Sequence, residues 1–105
     1  MSILQTEAFA TSLRALRSSD AQARIARAVE RMTSENLGDV KSLGGGLLEM
    51  RLHFGPGYRV YFLRRGVELI VLVLCGKKAT QDRDIASARD IARRLPKEPE
   101  PWQSS

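Results

Sequence analysis

Cysteine, histidine and tryptophan each occur once in this chain of 105 residues, joined by only two tyrosines and three phenylalanines. The single cysteine, Cys75, excludes an intramolecular disulfide. Its place in the apolar run LIVLVLC reads as a small core residue in a reducing, intracellular compartment. One His and one Cys in strand-like segments make no metal-ligand cluster, so neither metal nor cofactor is expected. The Gly-rich stretch at 33–46 does not follow a strand or end in Gly-Lys-Ser or Gly-Lys-Thr, which removes the phosphate-binding P-loop. Dinucleotide fingerprints, zinc-finger spacing, heptads and internal repeats are missing, and a serine-type triad lacks its base and acid. Residues 69–75, the longest apolar run, fall far short of the ~20 that span a bilayer. The opening MSILQTEAF has no basic region leading into an apolar stretch, so no secretory leader is expected. The chain reads as a cytoplasmic protein with no membrane association.

Acid is also scarce. Twelve Asp and Glu face seventeen Lys and Arg, giving a net charge of +5 and a pI near 10.0. Such a balance favours a polyanionic or acidic partner, nucleic acid first and an acidic protein second. The length allows one small domain that buries roughly two-thirds of its unfolded surface.

Residues 3–5 read as a short edge strand, after which Thr6 is placed to cap a helix opening at Glu7. Phe9, Leu13 and Leu16 form one apolar face of that helix, which is expected to end near Leu16. Ser19 and Gln22 have capping-box spacing for a second helix, with Ile25, Ala28, Val29 and Met32 as its buried stripe. The two helices make a hairpin. Residues 33–46, with four glycines, read as a flexible connection. From Leu48 the period becomes two: Leu48, Met50, Leu52 and Phe54 alternate with Glu49, Arg51 and His53. Gly55-Pro56-Gly57 reverses the chain, Tyr58 to Leu63 returns as a strand, and Arg65-Gly66 turns again. The next strand, VELIVLVLCG, is apolar on both parities, so it belongs in the sheet interior with part of its second face covered. Thr80 is the next N-cap, for a helix with a stripe of Ile85, Ala88, Ala92 and Leu95 that Pro96 ends. Residues 1–95 are thus one domain of α+β class, a helical hairpin on a small, mostly antiparallel sheet with a C-terminal helix. Residues 96–105 are expected to be a disordered tail, with Trp102 as a possible anchor for a partner.

Alternation has a consequence for chemistry. If Leu48, Met50 and Leu52 face the helical pair, Arg51 and His53 share the opposite face, and Arg59 and Tyr61 join them from the returning strand. Lys77 and Lys78 extend the surface at the strand end. From 51 to 83, five arginines and two lysines meet only Glu68 and Asp82, about +5 by count. One reading is an ordinary solvent-exposed sheet face whose cross-strand pairs contribute under ~1 kcal/mol each. The other is a surface that binds or cleaves RNA, with cations on the phosphate, Tyr rings on bases and His53 moving protons.

The runs LLEMRLHFGPGYRVYF and LVLCGKKATQDRDIASARDIA, preceded by DVKSLGGG, carry a further signal. From about Ile3 to Leu95 the chain resembles the RelE/ParE superfamily of toxins of bacterial type II toxin-antitoxin systems, in particular its HigB-like "addiction module killer protein" branch. The resemblance implies a RelE-like fold and a toxin, many of which are metal-independent endonucleases that cut mRNA on translating ribosomes, arrest growth, and are neutralised by a cognate antitoxin, here of helix-turn-helix type. It also implies site residues. Arg59 matches the family's phosphate-contacting arginine and Arg51 a basic position one strand away, while Lys77, Lys78 and Arg83 fall among further basic groups. His53 and Tyr58 or Tyr61 are candidates for proton transfer and base stacking. On this reading Arg59 is exposed and its removal costs no core packing. No Tyr or His stands in or after the last helix, where some ribosome-dependent members place catalytic groups. The alternative within the superfamily is a non-enzymatic, ParE-like inhibitor of DNA gyrase. A third is a nucleic-acid-binding module without activity.

Overall fold

Each of the first two helices begins where a hydroxyl takes an otherwise unpaired amide. Thr6 accepts from the Phe9 amide at 3.0 Å, and Ser18 accepts from the Ala21 amide at 3.0 Å. The cap of the second helix is therefore Ser18 rather than Ser19. Ser18 is the serine with extended backbone, and Gln22 instead donates to the Leu16 carbonyl at 2.7 Å.

The computed structural model describes residues 2–96. Its elements run β1 (Ser2–Gln5), α1 (Glu7–Arg14), α2 (Ser19–Met32), β2 (Asp39–Gly44), β3 (Leu47–Leu52), β4 (Tyr58–Arg65), β5 (Leu69–Lys77), a 3-10 turn (Lys78–Thr80) and α3 (Gln81–Arg94). The expected tail and Trp102 lie outside the described residues, apart from Pro96. Leu95, just before that proline, is extended, as the proline ring requires of its predecessor. No helix among the described residues is long and apolar enough to cross a membrane.

Five strands form one sheet in the order β1-β5-β4-β3-β2, with β1 parallel to β5 and every other pair antiparallel. The α+β class and the mostly antiparallel sheet are as expected. One expectation is corrected here: residues 33–46 are not all connection, because Asp39–Gly44 pairs with β3 as an edge strand. A bulge between Ser42 and Gly44 breaks its period, and only Val40 and Leu43 turn apolar side chains inward.

The sheet is covered on both faces. Phe9, Ile25 and Met32 of the helical pair meet Met50, Val60, Phe62, Ile70 and Leu72 on one side. On the other, Ala88 of α3, flanked by Ile85, Ala92 and Leu95, meets Tyr61, Leu63, Val71 and Val73. The face expected to be open is therefore roofed by α3. Each large apolar side chain buried there contributes ~1.5–3 kcal/mol, and leaving the second apolar set of β5 in water would forfeit it.

A second bulge decides what lies under that roof. The register steps from Tyr61 opposite Leu74 to Phe62 opposite Leu72, so Val73 is an extra residue in β5. Beyond it the parity reverses: Cys75 joins the core under the helical pair, and Gly76 turns to α3.

Candidate functional site

At one end of the sheet the register lines up Arg51, Arg59 and Gly76 across β3, β4 and β5. Leu52, Tyr58 and Lys77 form the next row. Two arginines directly opposed in a sheet repel each other, so this row is held by what surrounds it.

Outside the roof Asp39 and His53 are exposed, while Arg51 is half-buried and its Nε has no hydrogen-bond partner among the described residues. Asp39, at the start of β2, accepts from Arg51 Nη2 at 3.3 Å and its other oxygen lies 2.6 Å from His53 Nε2. The His53 hydrogen bond is the main reason the Asp39 carboxyl is held below its usual range, with Arg51 adding to it. His53 is 67% exposed, so its imidazole is fastened on one edge by a carboxylate and open to solvent elsewhere. On the far side of the row, the Lys78 amide donates to the Gly57 carbonyl at 2.9 Å, tying the Gly-Pro-Gly turn to the 3-10 turn. Gly57 has φ 82°, and a Cβ there would sit 3.3 Å from Lys78 Cβ, so a side chain would be both strained and crowded. Lys77 and Lys78 are exposed, as is Arg83 in the first turn of α3.

Under the roof lies a set of charged and polar groups out of water. Arg59 is only 6% exposed and donates from Nη1 to the Tyr58 carbonyl at 3.2 Å, while its Nε has no hydrogen-bond partner. Glu49, two register pairs along and fully buried, accepts from Gln81 Nε2 at 2.8 Å on one oxygen and has no partner on the other among the described residues. Tyr61 stands opposite Glu49 with its hydroxyl buried near that carboxylate and, among the described residues, without a hydrogen bond of good geometry. Burial, and then the Glu49 and Asp84 carboxylates, push its phenol far above the ordinary range. Asp84, 7% exposed, lies over Gly76 and accepts from the Thr80 hydroxyl at 2.6 Å. A Cβ on Gly76 would come within 2.0 Å of that carboxylate, so only glycine admits it. Thr80 holds the N-cap position as expected, yet its hydroxyl serves Asp84 instead of a helix amide.

Pleat parity thus puts Arg51, His53, Arg59 and Tyr61 on one face, but four placements are corrected. Lys77 shares the row of Tyr58 and so projects toward the helical-pair side instead of extending the arginine surface. Tyr61 is interior because α3 packs on it, so its ring is closed to a base. Arg59 is buried, so its removal does cost packing and solvation of a charge. Tyr58 lies on the opposite face, 6% exposed in the core under the helical pair, with its ring 5.0 Å from that of Phe54. Arg24 of α2 in turn covers Phe54 at 4.8 Å. Sequence reasoning missed Asp39, Glu49, Gly76 and Asp84. Glu49 was assigned to the right parity and simply read as solvated, while Asp39 was hidden in an edge strand with a broken period.

Among the described residues no group of three or more His, Cys, Asp or Glu side chains is placed to hold a metal ion. Cys75 is buried, and burial pushes its thiol up; its sulfur lies 3.4 Å from the Ser12 hydroxyl.

No family model matches the chain. Over 93 residues it is 38% identical to an uncharacterized protein of Haemophilus influenzae, a match covering 89% of this chain and 94% of that one. The chain belongs to the family of that protein.

Proposed function

We propose that this protein is the toxin of a type II toxin-antitoxin module, of RelE/ParE type, and that it cleaves mRNA on translating ribosomes. The observation that carries the reading is the cationic row: Arg51 opposite Arg59, with a carboxylate-held histidine at one end and Lys78 at the other. Like charges opposed across strands are a cost that a bound anion removes, and a phosphodiester is such an anion. The family resemblance of the sequence supports the same assignment.

In the reaction the ribose 2'-oxygen bonds to the neighbouring phosphorus while the bond from phosphorus to the 5'-oxygen breaks. A proton leaves the 2'-hydroxyl and another reaches the 5'-oxygen. Arg51 and Lys78 offset the charge of the phosphate and of the pentavalent state, with Lys77 and Arg83 gripping the strand further out. His53 is the proton carrier, oriented by Asp39 as a carboxylate orients the imidazole in hydrolase triads. Arg59 acts from beneath as a positioning residue, because its charge is weakly screened there and raises the positive potential at the row. Tyr58 and Tyr61 pack.

Mapping mRNA 5' ends in a translating extract tests the proposal. New internal ends on adding the protein support it, whereas growth arrest with intact transcripts sinks it. A supercoiling assay with purified gyrase then decides whether the ParE-like inhibitor takes its place. Co-expression with the protein of the adjacent reading frame, expected to be a small helix-turn-helix antitoxin, should restore growth.

A further inference from the structure

The far end of the roofed face carries a second basic feature that the proposed chemistry leaves unused. Between the β2–β3 turn, the end of β4 and the last turns of α3 lies a groove of about 700 Å³. It is about five residues along the strands from the Arg51–Arg59 row, ~17 Å at the rise of an antiparallel strand. Its floor is apolar: Leu47 and Leu63 lie buried beneath it, and Leu95 is half-buried at its side. One wall is basic, with Arg89 and Arg93 of α3 lining it, while Arg64, paired with Ile70, turns its side chain to the other face of the sheet.

These cations are only partly offset. Arg93 reaches the exposed Asp90 at 3.5 Å, a carboxylate that Arg94 shares. Among the described residues no carboxylate pairs with Arg89; its Nη2 donates to the Leu43 carbonyl at 2.7 Å, which fixes the guanidinium at the groove wall. Residues 44–46 form an open rim of three glycines, where a side chain would meet nothing within 4 Å. A peptide backbone can approach such a rim closely.

We infer that this groove docks an acidic peptide segment whose apolar side chain seats on the leucine floor. The occupant follows from the two kinds of lining taken together. Carboxylates match the arginine wall, where the guanidinium fork suits them, and an aliphatic anchor matches Leu47, Leu63 and Leu95. RNA fits less well, because its phosphates gain nothing from leucines and, among the described residues, no aromatic side chain lines the groove to stack a base. If the proposed function holds, the segment belongs to the antitoxin, and to that extent the inference rests on that reading.

Fluorescence anisotropy on the full-length protein tests it, with a dye-labelled peptide Glu-Glu-Leu-Glu-Glu-Leu-Glu-Glu as probe. The wild type should bind this peptide at least tenfold more tightly than the same peptide with serine for leucine. Arg93→Glu, whose side chain is exposed and outside the core, should weaken binding tenfold or more. Arg89→Glu should do the same, with a thermal melt confirming that each variant folds. Lys77→Glu and Lys78→Glu should leave peptide binding within about twofold. No binding, binding indifferent to Arg89 and Arg93, or displacement from the groove by a single-stranded RNA would each overturn the inference. The two readings fail separately. Peptide binding that depends on Arg93, in a protein that cuts no mRNA, removes the nuclease alone. Cleavage in a protein whose peptide binding ignores Arg93 removes the groove alone.

Discussion

At the residue scale the arrangement turns on which charges are in water. Asp39 and His53 are exposed partners, so their coupling is visible in a titration rather than in global stability. The Asp39 carboxyl is depressed in the folded protein, chiefly by the His53 hydrogen bond. A depressed acid stabilises the fold at pH above its unfolded value, and that contribution disappears as pH falls through the lower, folded value. An NMR titration should therefore find the Asp39 midpoint below 3.8, the ordinary value, and His53→Ala should move it back up. A midpoint unchanged by His53→Ala would break the pairing on which the proton carrier depends. Loss of the carrier itself, in His53→Ala, should lower cleavage by ~10²-fold or more with the melt unchanged.

Tyr61 makes the opposite kind of prediction. Its phenol is raised by burial and by Glu49. A raised group contributes stability that is complete below pH 10 and is lost as pH climbs from there toward the folded value. Tyr61→Phe should abolish the part of alkaline destabilisation that begins near pH 10, and at pH 7 should change stability by no more than ~1 kcal/mol, because the hydroxyl it removes makes no hydrogen bond of good geometry among the described residues. Cleavage should be unaffected. A Tyr61→Phe protein that folds and no longer cuts would return the phenol to the chemistry.

At the element scale, the fold was legible wherever a period was clean. Both strands around the Gly-Pro-Gly turn, the helical pair and the stripe of α3 can be read from alternation and from the i, i+3, i+4 spacing of apolar residues. What escaped were the two bulges. One hid β2 and with it Asp39; the other reversed the parity of β5 after Val73 and so turned Gly76 toward α3. A bulge adds a residue without changing composition, so no count of apolar positions signals it. The roof itself was half legible. A strand apolar on both parities needs cover on both faces, and α3 had an apolar stripe to give, but the charged residues of β3 and β4 pointed toward water.

Gly76 is where this element-level design is most sensitive. Gly76→Ala places a methyl group against the Asp84 carboxylate, which must leave its bond to Thr80 and lift the first turn of α3. Overpacking of this kind costs ~1–3 kcal/mol. Chemical denaturation of Gly76→Ala should show that loss, and Asp84→Ala in the same background should recover part of it. Equal stability of Gly76→Ala and wild type would mean that the carboxylate does not sit where the first turn of α3 places it.

For the whole molecule, two basic clusters stand at opposite ends of one sheet face. The Arg51–Arg59 row with Lys78 is one, and the arginine groove over a leucine floor is the other. The first suits a phosphate chain and the second a peptide with carboxylates. Salt dependence should separate them, because each phosphate contact to single-stranded RNA contributes ~0.7 to the slope of log K against log salt. Lys77→Ala and Lys78→Ala should each lower the RNA slope by about that amount. Arg93→Ala should leave it unchanged.

Arg51 is the most direct test of the cationic row, since it touches solvent and borders Arg59. The deciding measurement is the rate of mRNA cleavage in a translating extract, read from mapped 5' ends, for Arg51→Ala beside the wild type at matched melting temperature. A row that holds the scissile phosphate predicts a fall of ~10- to 100-fold. Cleavage at the wild-type rate by a folded Arg51→Ala protein would contradict it.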